Sequence, residues 1–298
     1  MSRSTWTEAD PIRNSQREKL IETLRGYGRV AVAFSGGIDS TVVAQAAYEA
    51  LGDAAIAVTA VSESLAAGEL EEAQELAQKI GIRHRVIRTE EFADPNYRRN
   101  DSDRCYFCKS ELYGRLSGLL GELGVETIVS GANTDDMGDY RPGLRAASEH
   151  GVRHPLQECG LSKADVRALA RAWDLPTWDK PATPCLSSRV AYGEDPTPER
   201  VRMIDKAEQW LRQRGLRVLR VRYHKGDLAR IEVSPDELPR LVELELRGEL
   251  ISAFRALGFK FVTLDLEGFR SGSMNSVIPV ENLLRGVIRS ETIQVARA

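Results

Sequence analysis

No apolar run in this chain approaches the length of a membrane span, and Met1 to Asp10 holds no apolar stretch of the kind a secretory leader needs. A cytoplasmic location with no membrane partner is the expectation. An excess of one charge is missing too. Lys and Arg number 41 against 44 Asp and Glu, a formal net charge of −3, which offers no broad field to attract nucleic acid or an anionic membrane. Cysteine is scarce, with Cys105, Cys108, Cys159 and Cys185 the four present. In a reducing compartment a disulfide framework is not expected, so closely spaced cysteines read as metal-binding or catalytic. No internal repeat is visible. What is there is ordinary for a globular protein: 42% hydrophobic and 29% charged residues over 298 positions, enough for a full α/β core and a second, smaller domain.

Residues 14–26 read as an amphipathic helix, with Leu20, Ile21 and Leu24 at helical spacing. The apolar run Val30 to Phe34 reads as a strand buried on both faces. The same grammar repeats: strand 54–61, helix 68–80, strand 83–88, helix 111–123, strand 127–131, and helix 162–173 with Ser162 as N-cap. Strands alternating with helices imply a parallel sheet with helices on both faces. Residues 178–198 break the rhythm with four prolines and read as an ordered loop between domains. Beyond it come helix 199–214, strands 217–223 and 228–233 joined by a tight turn at Lys225-Gly226-Asp227, helix 238–257 and strand 260–264. That order predicts a small α+β domain, with the division at 1–180 and 181–298. The tail after Gly268 takes no element here and is expected to order in a homo-oligomer.

The string Ser35-Gly36-Gly37-Ile38-Asp39-Ser40 lies between a buried strand and a helix. Glycines there let the backbone turn sharply and approach an anion, and the amides and dipole of a helix start favour phosphate. Ser35 and Ser40 offer hydroxyl donors, and Asp39 can hold Mg²⁺ or shape the loop. A bare Gly-Gly turn needs no ligand, but the full string in this context points to one. It resembles the PP-loop (HUP-like) ATP pyrophosphatases, among them GMP, NAD and argininosuccinate synthetases and the tRNA-thiolating enzymes. The resemblance implies Mg²⁺-ATP bound here and cleaved between its α- and β-phosphates. The Gly-Lys-Ser/Thr ending of a Walker loop is absent.

Cys105 and Cys108 stand three positions apart in an arginine-rich segment with Arg98, Arg99 and Arg104. Cys185 lies in the stiff stretch Pro184-Cys185-Leu186-Ser187-Ser188-Arg189, where Arg189 would lower the thiol's pKa if the two approach. Four readings stay open: inert thiols, half of a structural zinc site completed by Cys185 and Cys159, a redox dithiol, or cluster ligands. Cys159 matches no motif and reads as a packing residue.

Together with Arg220-Val221-Arg222, Ala229-Arg230-Ile231-Glu232 and Ser130-Gly131-Ala132-Asn133-Thr134-Asp135-Asp136, the Cys185 string resembles the LarE sulfur transferases. The likeness runs from about Gln16 to Gly272. It implies adenylation of a carboxylate on a pyridinium mononucleotide and insertion of sulfur, in nickel-pincer cofactor biosynthesis. LarE proteins are of two kinds: one sacrifices the cysteine matching Cys185, and the other holds a 4Fe–4S cluster on three cysteines. Cys105 and Cys108 beside Cys185 fit the second kind.

Further candidates follow from position. Asp135 and Asp136 stand at a strand end, where ligands gather in open α/β sheets, or they cap a helix. Arg141 either touches a nucleotide phosphate or faces solvent. Alternation places Leu219, Val221 and Tyr223 on one strand face and Arg220, Arg222 and His224 on the other, a row suited to phosphate or carboxylate. Glu208 and Glu232 are candidates for contact with metal or substrate, or are surface acids. Trp173, Trp178 and Trp210 read as core or interface residues. A tRNA thiolase, an amide-forming synthetase of the NAD or GMP type and a nucleotide-sensing module are the competing functions. The first needs a broad basic surface that the net charge does not suggest.

Overall fold

The computed structural model describes residues 11–137, 141–181, 183–270 and 274. In chain order its first elements are α1 (Pro11–Gly26), β1 (Val30–Ala33), α2 (Ile38–Leu51), β2 (Ala55–Val61), α3 (Glu69–Ile80) and β3 (Arg83–Arg88). Then come α4 (Pro95–Arg98), α5 (Arg104–Leu123), β4 (Thr127–Val129), α6 (Pro142–Glu149), α7 (Pro155–Glu158) and α8 (Lys163–Ala172). The rest are α9 (Pro198–Gln213), β5 (Leu219–His224), β6 (Leu228–Val233), α10 (Leu238–Val242), α11 (Leu244–Ala256) and β7 (Phe261–Leu264).

The first sheet is parallel, in the order β3-β2-β1-β4. Its central strands are apolar, apart from Thr59 whose hydroxyl donates to Phe34 O, because both faces are covered. Val30, Val32, Ala55 and Ala57 pack with Leu24, Val43, Leu76 and Leu169. The alternate residues Ala31, Ile56 and Val58 pack with Tyr113 and Leu116 of α5 and Ala146 and Ala147 of α6. This is the expected α/β architecture. A second sheet, ordered β5-β6-β7, pairs β5 and β6 antiparallel and β6 and β7 parallel. Leu219, Val221 and Tyr223 face a separate core with Ile231, Ile204 and Phe254. Among the described residues no helix is long and apolar enough to cross a membrane.

Three expectations needed revision. Helix α5 begins at Arg104, not near 111, so Cys105 and Cys108 ride its first turn. Nothing local announces that start: Asp103 makes no side-chain cap, and the turn is held instead by burial of Arg104. The helix expected over 238–257 is broken at Glu243, whose extended backbone separates α10 from α11. Strand β4 stops at Val129; the Ser130 amide donates to Arg153 O at 3.0 Å, and Gly131 comes up against the start of α2. The tail expected to order in an oligomer lies outside the described residues beyond Arg270, except for Met274.

Residues 185–191 lie between the two cores. Leu186 and Val190 pack into the second core together with Ala66, from the loop after β2. The Leu186 amide donates to Ser64 O at 2.8 Å, and the Ala191 amide to Tyr223 O at 2.9 Å.

Candidate active site

The phosphate loop is tightly wound at the carboxyl end of β1. Gly36 has φ 68°, a left-handed conformation that favours glycine. The Ser40 hydroxyl donates to Gly37 O at 3.0 Å and accepts from the Ser35 amide at 3.2 Å. Thr41 Oγ1 adds a bond to the same carbonyl at 2.8 Å. Helix α2 starts at Gly37 with no side-chain cap, so its N-terminus keeps the amides and dipole that suit an anion. Asp39 is held from two sides. Asn133 Nδ2 donates to its Oδ1 at 3.0 Å, and Lys163 Nζ forms a short ion pair with its Oδ2. The Lys163 amide donates to Asp135 Oδ2 at 3.3 Å. Asp136 closes a capping box with Asn133 and pairs with Arg141 at 2.9 Å. Asp39 of the loop is thus linked through Asn133 and Lys163 to a group that includes Asp135, Asp136 and Arg141, three carboxylates with two cations, a setting for a triphosphate and its divalent cation.

The two cysteine segments meet each other. Asn100 and Arg104 bind the loop that follows Cys185: Arg104 Nη1 donates to Ser187 O at 2.8 Å, and Tyr97 Oη bonds Ser187 Oγ at 2.7 Å. Cys105 is exposed, and Cys108 and Cys185 are half-buried. Burial pushes the Cys108 thiol well up, Lys109 opposes this, and Glu91, Cys185 and Cys105 add to it. Among the described residues, no three His, Cys, Asp or Glu side chains draw close enough to hold a single metal ion. Cys159 is elsewhere, in the first core, with its Sγ 3.3 Å from Thr23 Oγ1. That separation removes the four-cysteine zinc arrangement. What remains is three thiols on two segments, the first turn of α5 and the loop at Cys185, with Arg104 and Lys109 in the same turn. Glu91 lines the same place. Its Oε1 accepts from Ser62 Oγ at 2.5 Å, while its buried Oε2 has no hydrogen-bond partner among the described residues.

On the second sheet β5 alternates as expected, with Arg220, Arg222 and His224 on the face opposite the core, and Arg222 is itself buried there. Arg189 is wholly buried; its Nε donates to Glu208 Oε1 at 3.1 Å and its Nη1 to the Cys185 carbonyl at 2.9 Å. Glu208 also accepts from Arg212 at 2.7 Å and from the Val221 amide at 3.2 Å. Burial alone would raise the Glu208 carboxyl, but Arg189 and Arg212 hold it below its ordinary range. Glu232, equally buried, takes Arg222 at 2.8 Å and Arg230 at 3.1 Å. Burial, with Arg189 and Arg222 as neighbours, pulls Arg220 down to about 10 against the pull of Glu208. The patch holds more guanidinium than carboxylate, which favours a bound anion.

A sequence-family model described as asparagine synthase matches residues 17–101, which span the phosphate loop. Over 265 residues, 89% of this chain and 95% of the relative, the sequence is 38% identical to the pyridinium-3,5-bisthiocarboxylic acid mononucleotide synthase of Lactiplantibacillus plantarum. The chain belongs to the LarE family. An uncharacterized protein of Synechocystis sp. is 48% identical over 88% of this chain and 98% of its own length. A tRNA-specific 2-thiouridylase of Caulobacter sp. is 29% identical over 51% of this chain and 47% of its own. The LarE likeness thus extends through the second sheet.

For a LarE protein, several expected contacts take a different form. Arg189 was expected to act on the Cys185 thiol. Its guanidinium goes to Glu208 and to backbone carbonyls, so it positions the cysteine loop. Glu208 and Glu232, expected to touch metal or substrate, are fully buried and hold arginines instead. Trp173 and Trp210 pack against the two cores, whereas Trp178 is partly exposed, with Arg171 stacked 4.2 Å from its ring. Asn133 stood in the string from Ser130 to Asp136 without a role of its own, and Lys163, Asn100 and Glu91 stood in no motif. A lone lysine or asparagine makes no local pattern, and only the long-range contacts reveal them.

Proposed function

We propose that this chain uses ATP to adenylate a carboxylate of a pyridinium-3,5-dicarboxylate mononucleotide and replaces a carboxylate oxygen with sulfur, in nickel-pincer cofactor biosynthesis. The observation that carries the reading is the likeness along most of both chains to a synthase of the bisthiocarboxylic product. Ser35, Gly36, Gly37, Asp39, Ser40, Asp135 and Arg141 form the ATP set, with Lys163 as a further cation. Residues 1–180 bind the nucleotide, and residues 181–298 bind the substrate through Arg220 and Arg222.

In this reading the substrate carboxylate attacks the α-phosphorus of ATP. The bond from that phosphorus to the bridging oxygen breaks, and pyrophosphate leaves with the electron pair. Loop amides and Lys163 stabilise its charge. Asp39 and Asp135 are the carboxylates that would hold Mg²⁺, whose chemistry is charge neutralisation of the polyphosphate. A sulfur nucleophile at the Cys185 position then attacks the acyl carbon, and AMP departs with the carbon–oxygen pair. Adenylation is required because AMP is a far better leaving group than an oxide. Cys105, Cys108 and Cys185 would hold a 4Fe–4S cluster, whose chemistry is to carry exchangeable sulfide on the iron that no cysteine ligates.

Anaerobic purification tests the sulfur source. Brown protein with iron and sulfide at about four each per chain is expected. Cys105→Ala, Cys108→Ala and Cys185→Ala each lose both, while Cys159→Ala keeps them. Iron-free protein that turns over once and leaves dehydroalanine at Cys185 would overturn the cluster assignment.

A further inference from the structure

The three cysteines sit on elements anchored to different cores. Helix α5 is tied to the first sheet through Tyr113 and Leu116, and the Cys185 loop is tied to the second core through Leu186 and Val190. Any change in how these bodies sit would separate Cys105 and Cys108 from Cys185. Tyr97 Oη bonds Ser187 Oγ across the seam, and Asn100 makes the largest set of bonds there. Asn100 is fully buried with φ 55°, a left-handed conformation that asparagine tolerates better than most side chains. Its Nδ2 faces Ala191 O and Glu194 O at 2.8 Å each and Val190 O at 3.3 Å. Its Oδ1 accepts from Arg104 Nη1, the guanidinium that also donates to Ser187 O. Its own carbonyl accepts from the Gly193 amide at 3.1 Å. Arg104 immediately precedes Cys105, and Ser187 follows Cys185 by two positions. The outer ion pair Arg98–Asp195 at 2.5 Å crosses the same seam but is solvent-exposed and contributes little.

We propose that Asn100, acting with Arg104, is a positioning residue that fixes the register of the first turn of α5, which carries Cys105 and Cys108, against the loop that carries Cys185, before any metal or nucleotide enters. The proposal rests on the three-cysteine reading of the sulfur site, yet it concerns thiol geometry alone. Both staple residues are buried and amide-rich or guanidinium-rich, so their contacts exchange poorly with water. Replacing either leaves carbonyls of the Cys185 loop without donors.

The test uses the full chain carrying Cys108→Ala and Cys159→Ser, in which Cys105 and Cys185 are the two thiols left. A short bifunctional thiol reagent is applied, and the bridged peptides are quantified by mass spectrometry. The parent is expected to bridge Cys105 to Cys185. Asn100→Gly, which accepts the left-handed backbone and deletes only the amide, slows bridging about tenfold or more through the unpaired carbonyls. Its reaction with a monofunctional reagent is not slowed, which separates lost register from lost access. Equal bridging in the parent and Asn100→Gly, or no bridging in the parent, overturns the proposal. Should Asn100→Gly fail to fold, Arg104→Gln is measured with the same two outcomes. Iron content of the cysteine-complete chain reports separately: staple-dependent bridging in a protein that binds no iron supports the staple and counts only against the cluster.

Discussion

At Gly131 a Cβ would lie 2.7 Å from the Ser40 amide nitrogen and 2.8 Å from the Asp39 carbonyl carbon. Both neighbours are backbone at the start of α2, so neither can swing aside. Gly131→Ala should push the strand end off the phosphate loop while leaving both cores folded. Overpacking of that kind costs about 1–3 kcal/mol, so ATP affinity should fall about tenfold or more. Calorimetric titration with a non-hydrolysable ATP analogue checks this, and unchanged affinity would remove Gly131 from the site. The loop itself was legible in the sequence because its residues are contiguous and bracketed by a strand and a helix. The contacts that Asn133 and Lys163 make with Asp39 were not, since they span 94 and 124 positions. Glu208 and Glu232 misled for a related reason. An acid on a helix or strand reads as surface until the arginines that bury it, here Arg189 and Arg222, are placed in space.

Strand β5 shows what periodicity can deliver at the scale of an element. Alternation alone separated the core residues Leu219, Val221 and Tyr223 from the row of Arg220, Arg222 and His224, and the structure agrees. It could not rank the arginines. Arg222 is locked to Glu232 and to the Ser188 carbonyl, whereas Arg220 is depressed by burial and cationic neighbours and sits under the Phe269 ring at 5.1 Å. Arg220→Ala should therefore weaken the pyridinium mononucleotide more than ATP, by on the order of 1.5–3 kcal/mol for a lost charge-assisted contact. Equal losses for the two ligands would return Arg220 to a structural role. The start of α5 was hidden because its first turn, Arg104 to Phe107, lacks a capping residue and depends on Asn100 and Ser187 for its order. The break between α10 and α11 was hidden because both sides of Glu243 carry helix-forming residues.

Across the whole molecule, three histidines record how burial couples folding to pH. His84, His154 and His224 are all lowered from the ordinary value, chiefly by burial. Each stays neutral in the folded chain where the unfolded chain has begun to bind a proton. Their contribution is intact above about pH 6.5 and is lost as pH falls from there through the folded values. At His154, Glu158 and Asp136 oppose the shift and Arg153 reinforces it. His154→Gln should accordingly lose less urea resistance than the parent between about pH 7.5 and about pH 5.5, and parallel losses would contradict that. The same molecule carries a phosphate loop on its first sheet and, where residues 185–191 meet the second core, a cysteine loop bonded to the buried arginines. Acyl adenylation is the central claim. It is tested by supplying the pyridinium dicarboxylate mononucleotide with heavy oxygen in its carboxylates, together with ATP and a sulfide source, and weighing the AMP. The account predicts heavy oxygen in the AMP phosphate, matched by sulfur in the product carboxylate. AMP without the label, or release of ADP and phosphate in its place, would contradict it.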